Sequence, residues 1–358
     1  MSTAWAMNGS GQATGRFGRW CRRAALAWLA GGAMGLACAQ GVAVFGGGAA
    51  QRVGPPERSV AEWLVRLQQA SRVPSYMGTF VVSSSAGSMS SARIWHVCEG
   101  DVQIEKVESL TGTPRFTYRR NESVVTFWPQ SRTVKADQRE SGGGFPNLLA
   151  TGGEFATADF YSAREVGQGR VAGFDADIVM LNPVDDLRFG YRIWSEKATG
   201  LVVKTQTLDA RGRVLEQAAF SELQLDVPVQ SAQLLRKMDS TDGYRVLRND
   251  RTRTTPATEG WVMKRPVAGF ASQNCYRRRA GAGPVVQWIF SDGLATVSLF
   301  MEPFDAERHP DEGEAALGAT HTLTRRVTDR SGAWWVTAVG EVPAQTLRAF
   351  VDGLERRP

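Results

Sequence analysis

Residue types that do chemistry are scarce in this sequence. Histidine occurs three times, at His96, His309 and His321. A catalytic zinc usually takes three protein ligands, and a serine or cysteine hydrolase needs a base beside its nucleophile. The stretch ARIWHVCEGD, residues 92–101, sets a histidine two places before a cysteine. On a strand, side chains alternate, so Ile94, His96 and Cys98 share one face and Arg93, Trp95 and Val97 the other. His96 and Cys98 are thereby brought together, but the local sequence supplies no orienting acid and no third ligand. Three readings stand for the thiol: a half-buried side chain beside a satisfied histidine, a disulfide between Cys98 and Cys275, or a reactive or metal-binding group.

The other candidates are weaker still. Asp185-Asp186 resembles a carboxylate pair for acid–base work, but after Asn182-Pro183 it reads as a turn. His309 sits in the charged run Glu307-Arg308-His309-Pro310-Asp311-Glu312 and is expected to be solvated. The sequence lacks G-x-S-x-G, H-E-x-x-H, phosphate-loop and dinucleotide patterns. These residues predict no enzyme, no metal and no cofactor. Arg277-Arg278-Arg279, near Gly281, is read either as a solvated turn or as a cationic site for an acidic peptide or lipid phosphate.

Aromatic residues in strand-like runs are plentiful by comparison. A packed core is their ordinary destination, but on a curved sheet they also line a cavity for an acyl chain or an apolar peptide. The candidates for such a lining are Phe80, Trp95, Phe116, Tyr118, Phe127 and Trp128, then Phe145, Leu148, Leu149, Tyr191 and Trp194. Asn147-Leu148-Leu149, after the Gly142-Gly143-Gly144 run, reads as a lid.

The elements that must position these residues are mostly strands. Ser59-Val60-Ala61-Glu62 is a capping box that opens a helix with Trp63, Leu64, Leu67 and Ala70 on its apolar side, closed by Pro74. From Tyr76 to about Leu225, short β-branched and aromatic runs alternate with turns such as Glu99-Gly100-Asp101 and Arg211-Gly212. Successive hairpins predict an antiparallel meander, and a dozen short strands must curl or split into two layers. Residues 228–257 read as an interdomain linker carrying one hairpin-like piece. A smaller unit follows, with strands Val285–Phe290, Leu294–Phe300, Thr320–Val327 and Trp334–Gly340. It ends in a helix bearing Leu347, Phe350, Val351 and Leu354 at helical spacing. The expected organisation is a leader over 1–39, a flexible lead-in over 40–57, a large β domain over 58–227, the linker, and an α+β domain over 258–354.

The chain has 358 residues and a formal charge of +6, of which the four arginines of residues 1–50 supply +4 with no acid to offset them. Only +2 remains for the body, so no nucleic-acid partner is expected. Ala24–Ala39 is apolar and ends Ala37-Cys38-Ala39, a small-x-small cleavage signal that would leave Gln40 first in the mature chain. Gly35, three places before Cys38, argues against lipidation. The uncharged stretch from Ala24 to Gln51 keeps an uncleaved anchor open as the alternative. Each reading places the body outside the cytoplasm.

Three stretches then resemble a known family: ARIWHVCEGDVQIEKVESLTGTP over 92–114, Phe145-Pro146-Asn147-Leu148-Leu149, and Asn182-Pro183 through Arg188-Phe189-Gly190-Tyr191. Phe290-Ser291-Asp292-Gly293-Leu294 through Met301-Glu302-Pro303 and Val339-Gly340-Glu341-Val342-Pro343 continue the likeness. The chain is similar, in order and over nearly all of 58–354, to the MucB/RseB proteins. That resemblance implies a mainly β, α+β architecture. Its large N-terminal domain would be an unclosed antiparallel β-barrel half-wrapped around helices, as in the LolA/LolB lipoprotein carriers. It also implies a periplasmic negative regulator of the envelope-stress factor sigma-E. Such a regulator binds the periplasmic segment of a membrane-spanning anti-sigma factor of RseA or MucA type, shields it from regulated proteolysis, and is released by lipid or lipopolysaccharide. A lipid or lipoprotein carrier of the LolA/LolB type is the alternative. No catalytic residue comes with the family, and the pair Cys98 and Cys275 is not part of its pattern. Trp261, Arg265, Phe270, Arg277, Arg278 and Arg279 are the partner-contact candidates, chosen for chemistry and for position near the linker. A homodimer is left open.

Overall fold

The structure, a computed structural model, describes residues 58–70, 72–138, 145–149, 156–248, 251–280, 283–309, 311–329 and 332–357. The leader, the lead-in and the triple-glycine run lie outside the described residues. No described helix is long and apolar enough to cross a membrane.

The capping box forms as its sequence dictates. Glu62 Oε2 accepts from the Ser59 amide at 2.7 Å and Ser59 Oγ accepts from the Glu62 amide at 3.3 Å. Helix α1 (Val60–Ala70) then buries Trp63, Leu67 and Ala70. The strands that follow are β1 (Ser75–Ser84), β2 (Met89–Glu99), β3 (Val102–Ser109), β4 (Phe116–Arg120), β5 (Ser123–Trp128) and β6 (Thr133–Gln138). After the short α2 (Thr157–Phe160) come β7 (Tyr161–Val171), β8 (Phe174–Pro183), β9 (Gly190–Glu196), β10 (Val202–Leu208) and β11 (Val214–Leu225). Together with a later strand, β12 (Arg245–Arg248), they make one twelve-stranded sheet in the order β12-β6-β5-β4-β3-β2-β1-β11-β10-β9-β8-β7. It does not split into two layers, and it does not close: β12 and β7 are its two edges.

Strand alternation gives this sheet two dressed faces. On one, Trp63 and Leu67 of α1 pack with Tyr161, Val179, Leu181 and Ile193. On the other, Val97, Ile104, Tyr118 and Phe127 are covered by Leu234 and Met238 of α3 (Ser231–Asp239). The segment 228–257 is therefore more than a linker. It carries α3, then β12, which lies parallel on β6 from Arg245 opposite Thr133, then β13 (Arg251–Thr254). Two core positions on α3 are enough to draw it onto the sheet by apolar burial.

β13 is already part of a second sheet, with β15 (Ala271–Ala280), β16 (Gly283–Ser291), β17 (Thr296–Pro303), β18 (Gly313–Leu317), β19 (Thr320–Asp329) and β20 (Gly332–Gly340). Its order is β13-β15-β16-β17-β20-β19-β18. Helix α4 (Ala344–Gly353) buries Leu347, Phe350 and Val351 against Val297, Leu299, Met301 and Val336. A small pair, β14 (Trp261–Met263) with β21 (Leu354–Arg356), holds the ends of this unit together.

Polar joints tie the sheets, and among the described residues two are built on arginines. At the first, the fully buried Arg188 donates through Nε to Asp292 Oδ2 at 2.8 Å, and its other nitrogens reach Asp185 and the Ala268 carbonyl. Tyr161 Oη adds a bond to Asp292 Oδ2 at 3.1 Å, and Thr157 Oγ1 one to the Asp292 carbonyl at 2.5 Å. Burial pushes the Asp292 carboxyl above its usual range, opposed by the amides of Ala295 and Leu294 and by Arg188. At the second joint, Arg251 of β13 donates to the Gln138 carbonyl at 2.8 Å and pairs with Asp137 at 3.1 Å.

Candidate functional site

The face of the large sheet that carries α1 also frames a cavity of about 140 Å³ that is partly open to solvent. Its apolar side is formed by Phe80, Ile94, Val107, Phe145 and Leu148, with Leu294 contributed from the second sheet's side. Phe145 is seated between Phe80 and Phe220, with ring centroids 5.4 and 5.0 Å apart. Its peptide bond to Pro146 is cis. The polar side holds Glu105, Thr117, Arg119, Thr205, Thr207 and Glu216.

Of the residues expected to line such a cavity, Phe80, Phe145, Leu148 and Tyr191 do so. Leu149 packs instead near Trp63 in the core beneath α1. Trp95, Phe116, Tyr118 and Phe127 belong to the opposite face, in the cluster under α3. The reason is the two-residue period of a strand: Trp95 cannot face inward if Ile94 and His96 do. Lys106 lies over both Trp95 and Phe116, at 4.3 and 5.1 Å from their ring centroids, which marks the half-exposed rim of that outer layer. Trp194 is likewise capped by Lys204 at 4.5 Å, and Trp128, at the end of β5, does not reach the cavity.

The charged wall is built on a buried carboxylate that the sequence does not single out. Glu105 is 3% exposed, yet it receives Arg119 Nη1 at 2.6 Å on one oxygen and His96 Nδ1 at 3.0 Å on the other. Asn147 Nδ2, from the segment read as a lid, reaches the same oxygen as His96 at 3.3 Å. Tyr76 stacks on the His96 ring at 4.6 Å, and the Tyr76 Oη and His96 Nε2 atoms are buried without a hydrogen-bond partner. Burial, reinforced by the neighbouring Glu105, holds the Tyr76 hydroxyl well above its usual range. The signal for this network was present: Glu105 and Arg119 stand mid-strand, on the parity that register pairs with His96 and Glu105 respectively.

His96 is thus occupied by a carboxylate and not by Cys98. Cys98 and Cys275 are both free thiols, on different sheets, so the disulfide is not formed. Cys98 Sγ turns to the Gly100 carbonyl at 3.4 Å, and Cys275 is buried in the small sheet across from Trp288. Burial raises the Cys98 pKa and pushes Cys275 up to about 12. The thiolate is the nucleophile, so iodoacetamide at neutral pH should label Cys98 slowly and Cys275 only after unfolding. Mass mapping of the native protein checks this; rapid labelling of Cys98 would restore the reactive-thiol reading.

The remaining candidates divide in the same way. Trp261 and Phe270 are core residues, 2% and 8% exposed, rather than surface contacts. Arg265 is spent on the Asp352 carbonyl. Arg277 and Arg278 stand on β15, not on a turn; Arg277 pairs with Glu259 at 2.6 Å, Arg278 is half-buried, and strand alternation separates them. The side chain of Arg279 lies outside the described residues. His309 is not solvated: it is 7% exposed, stacks on Trp335 at 4.9 Å, and accepts at Nδ1 from the Asp305 amide. Asp185-Asp186 is a turn, Asp185 accepting from the Leu187 amide. Among the described residues no group of three His, Cys, Asp or Glu side chains is placed to hold a metal. The arrangement can enclose an apolar chain against a fixed polar wall.

Two family models match the chain: the MucB/RseB N-terminal domain over residues 59–238 and the MucB/RseB C-terminal domain over residues 255–355. The chain belongs to the MucB/RseB family. The sigma factor AlgU regulatory protein MucB of Pseudomonas aeruginosa is 29% identical over 292 residues, covering 80% of this chain and 87% of that protein. The sigma-E factor regulatory protein RseB of Haemophilus influenzae is 23% identical, covering 84% and 92%. A chain of the solved MucA/MucB complex of P. aeruginosa superposes with a TM-score of 0.66 at 27% identity, over 83% of this chain and 99% of that one. A structure of MucB with the periplasmic part of MucA gives 0.64 at 27% identity, over 84% and 100%. The MucB/RseB architecture is accordingly a large unclosed β-sheet with helices on its faces and a smaller α+β unit, as the sequence led one to expect.

Proposed function

We propose that this protein is a periplasmic regulator of the envelope-stress response. It binds the periplasmic region of a membrane-spanning anti-sigma factor and protects it from regulated proteolysis. Lipid or lipopolysaccharide entering the large-sheet cavity releases it. The observation that carries the first half is the likeness of both units, over most of the chain, to MucB solved with MucA. The second half is supported by a cavity that joins an apolar side to a charged wall and includes Leu294 and Glu341 from the small unit. A ligand there touches both units at once, which is what coupling between two sites requires.

Such coupling is reciprocal: if the lipid weakens the peptide by some factor, the peptide weakens the lipid equally. Titrating lipopolysaccharide fragments into the protein loaded with a labelled anti-sigma peptide should displace the peptide, and Phe80→Asp should raise the fragment concentration needed by about tenfold. Simultaneous, independent saturation of both ligands would sink the linkage. Co-purification from a solubilised envelope addresses the first half, the expected catch being a single-pass anti-sigma factor.

A further inference from the structure

The turn that joins β16 to β17 is buried, which turns seldom are. From Ser291 to Ala295 every residue is buried except Leu294, which is half-buried and reaches the cavity. A buried turn must satisfy its own backbone, and this one does so locally. Ser291 Oγ accepts from the Gly293 amide at 3.0 Å and donates to the Ala295 carbonyl at 2.9 Å. Asp292 Oδ1 accepts from the amides of Leu294 and Ala295, at 2.9 and 2.7 Å. With the Asp292 amide on the Ala295 carbonyl at 3.2 Å, these bonds make the turn one rigid piece. Leu294 does not shift unless Asp292 shifts with it.

The other oxygen of that carboxylate belongs to the joint between the sheets. Asp292 Oδ2 takes Arg188 Nε at 2.8 Å and Tyr161 Oη at 3.1 Å, both from the large sheet's side. Arg188 has no room to follow a moving partner. Its guanidinium is held between Phe160 and Phe270, and a Cβ on Gly269 would collide with its Nη2. A displacement of Leu294 therefore falls on the bonds of Asp292.

The size of the cavity supplies the push. About 140 Å³ is room for a molecule of the size of benzene. A longer acyl chain gains by every methylene that it takes out of water, and to bury more of itself it must move a wall. The strands that line the cavity are all interior to the twelve-stranded sheet, bonded on both sides, and do not move singly. The segment with Phe145 and Leu148 is fastened through Asn147 to Glu105. Leu294 enters from the other sheet, and it yields by a small shift of one sheet against the other.

We propose, on the lipid-release reading of this cavity, that Leu294 is the residue through which a bound acyl chain loosens the two sheets. The chain presses on Leu294, the rigid turn carries the displacement to Asp292, and the bonds to Arg188 and Tyr161 give. The coupling runs both ways, so a joint already weakened opposes the ligand less.

Hydrogen exchange of the full chain, followed by mass spectrometry with and without saturating dansylundecanoic acid, tests this. A ligand that merely covers its site slows exchange there. Here the amides of 293–295 should exchange about fivefold faster or more. So should that of Leu187, which is bonded to Asp185 beside Arg188. Leu294→Ala gives the chain room without being pressed and should abolish the acceleration at its own saturating concentration. Leu294→Met, of similar volume, should keep it. Tyr161→Phe removes one bond of the joint at a residue that does not line the cavity. It should tighten the probe by about threefold, whereas simple damage to the fold weakens binding.

Slower or unchanged exchange at 293–295 on binding overturns the proposal, and so does acceleration that survives Leu294→Ala. Faster exchange at 145–149 instead would make that segment the yielding wall, again against Leu294. In each of these cases uptake of the probe leaves the lipid reading standing; no uptake by the parent chain removes that reading and the proposal with it. If Leu294→Ala takes up no probe, Tyr161→Phe decides, weaker or equal binding counting against the coupling.

Discussion

Arg188→Ala should lower the free energy of unfolding by about 3–5 kcal/mol, because it strands a buried charge. Arg188 and Asp292 are both fully buried, and the guanidinium is further committed to Asp185 and the Ala268 carbonyl. It is also flanked by Phe160 and Phe270, 4.3 and 4.7 Å from its central carbon, so no solvent replaces it when it is removed. Asp292 keeps two backbone donors, Leu294 and Ala295, but loses the cation that favours its charged form. Replacing both partners, with Arg188→Met and Asp292→Leu together, should cost less than the single change, since no charge is left behind. Urea denaturation of the three variants measures this. A single variant within 1 kcal/mol of the parent would show that the joint is ornamental.

Glu105→Ala belongs to the same class and reaches the cavity. It leaves the Arg119 guanidinium and the His96 ring without the carboxylate that both face at 2.6 and 3.0 Å, a change expected to cost about 3–5 kcal/mol. It also releases Asn147, through which the segment 145–149 is fastened to the wall. Glu105→Gln retains one acceptor and the shape, and should cost about half as much. Thermal unfolding gives the stability difference, and fatty-acid fluorescence on the variants that stay folded shows whether the wall orients the ligand. A neutral Glu105→Ala would mean that the network is solvated and not buried.

How much of this was legible in the sequence follows from the range of the interactions. Local signals read correctly: the capping box at Ser59, the Gly100 and Gly212 turns at positive φ, the helical spacing of Leu347, Phe350 and Val351. Alternation correctly paired Ile94 with His96, but a period of two names two faces without saying which is inside. That is why Trp95, Phe116, Tyr118 and Phe127 were assigned to a cavity that lies on the other side of their strands. What failed entirely was long-range. Asp292 looks like a turn residue, and it is one; nothing nearby announces a cation 104 residues away. His309 looks solvated amid its charges until Trp335 supplies a stacking surface. The four-residue β12 pairs parallel to a strand more than a hundred residues earlier, and no pattern within it could say so.

That small strand has a mechanical consequence. Arg248 ends β12 in one sheet and Arg251 begins β13 in the other. Three Cα steps span at most about 11 Å, and Arg251, at the far end of the crossing, is held to Gln138 and Asp137. Pulling the two sheets apart at this point cannot be absorbed by a lengthening tether. Beyond that span it must strip four residues from β6 or four from β15. The connection is built as a fuse rather than a hinge: the strain of separation falls on one short strand and not on a loop.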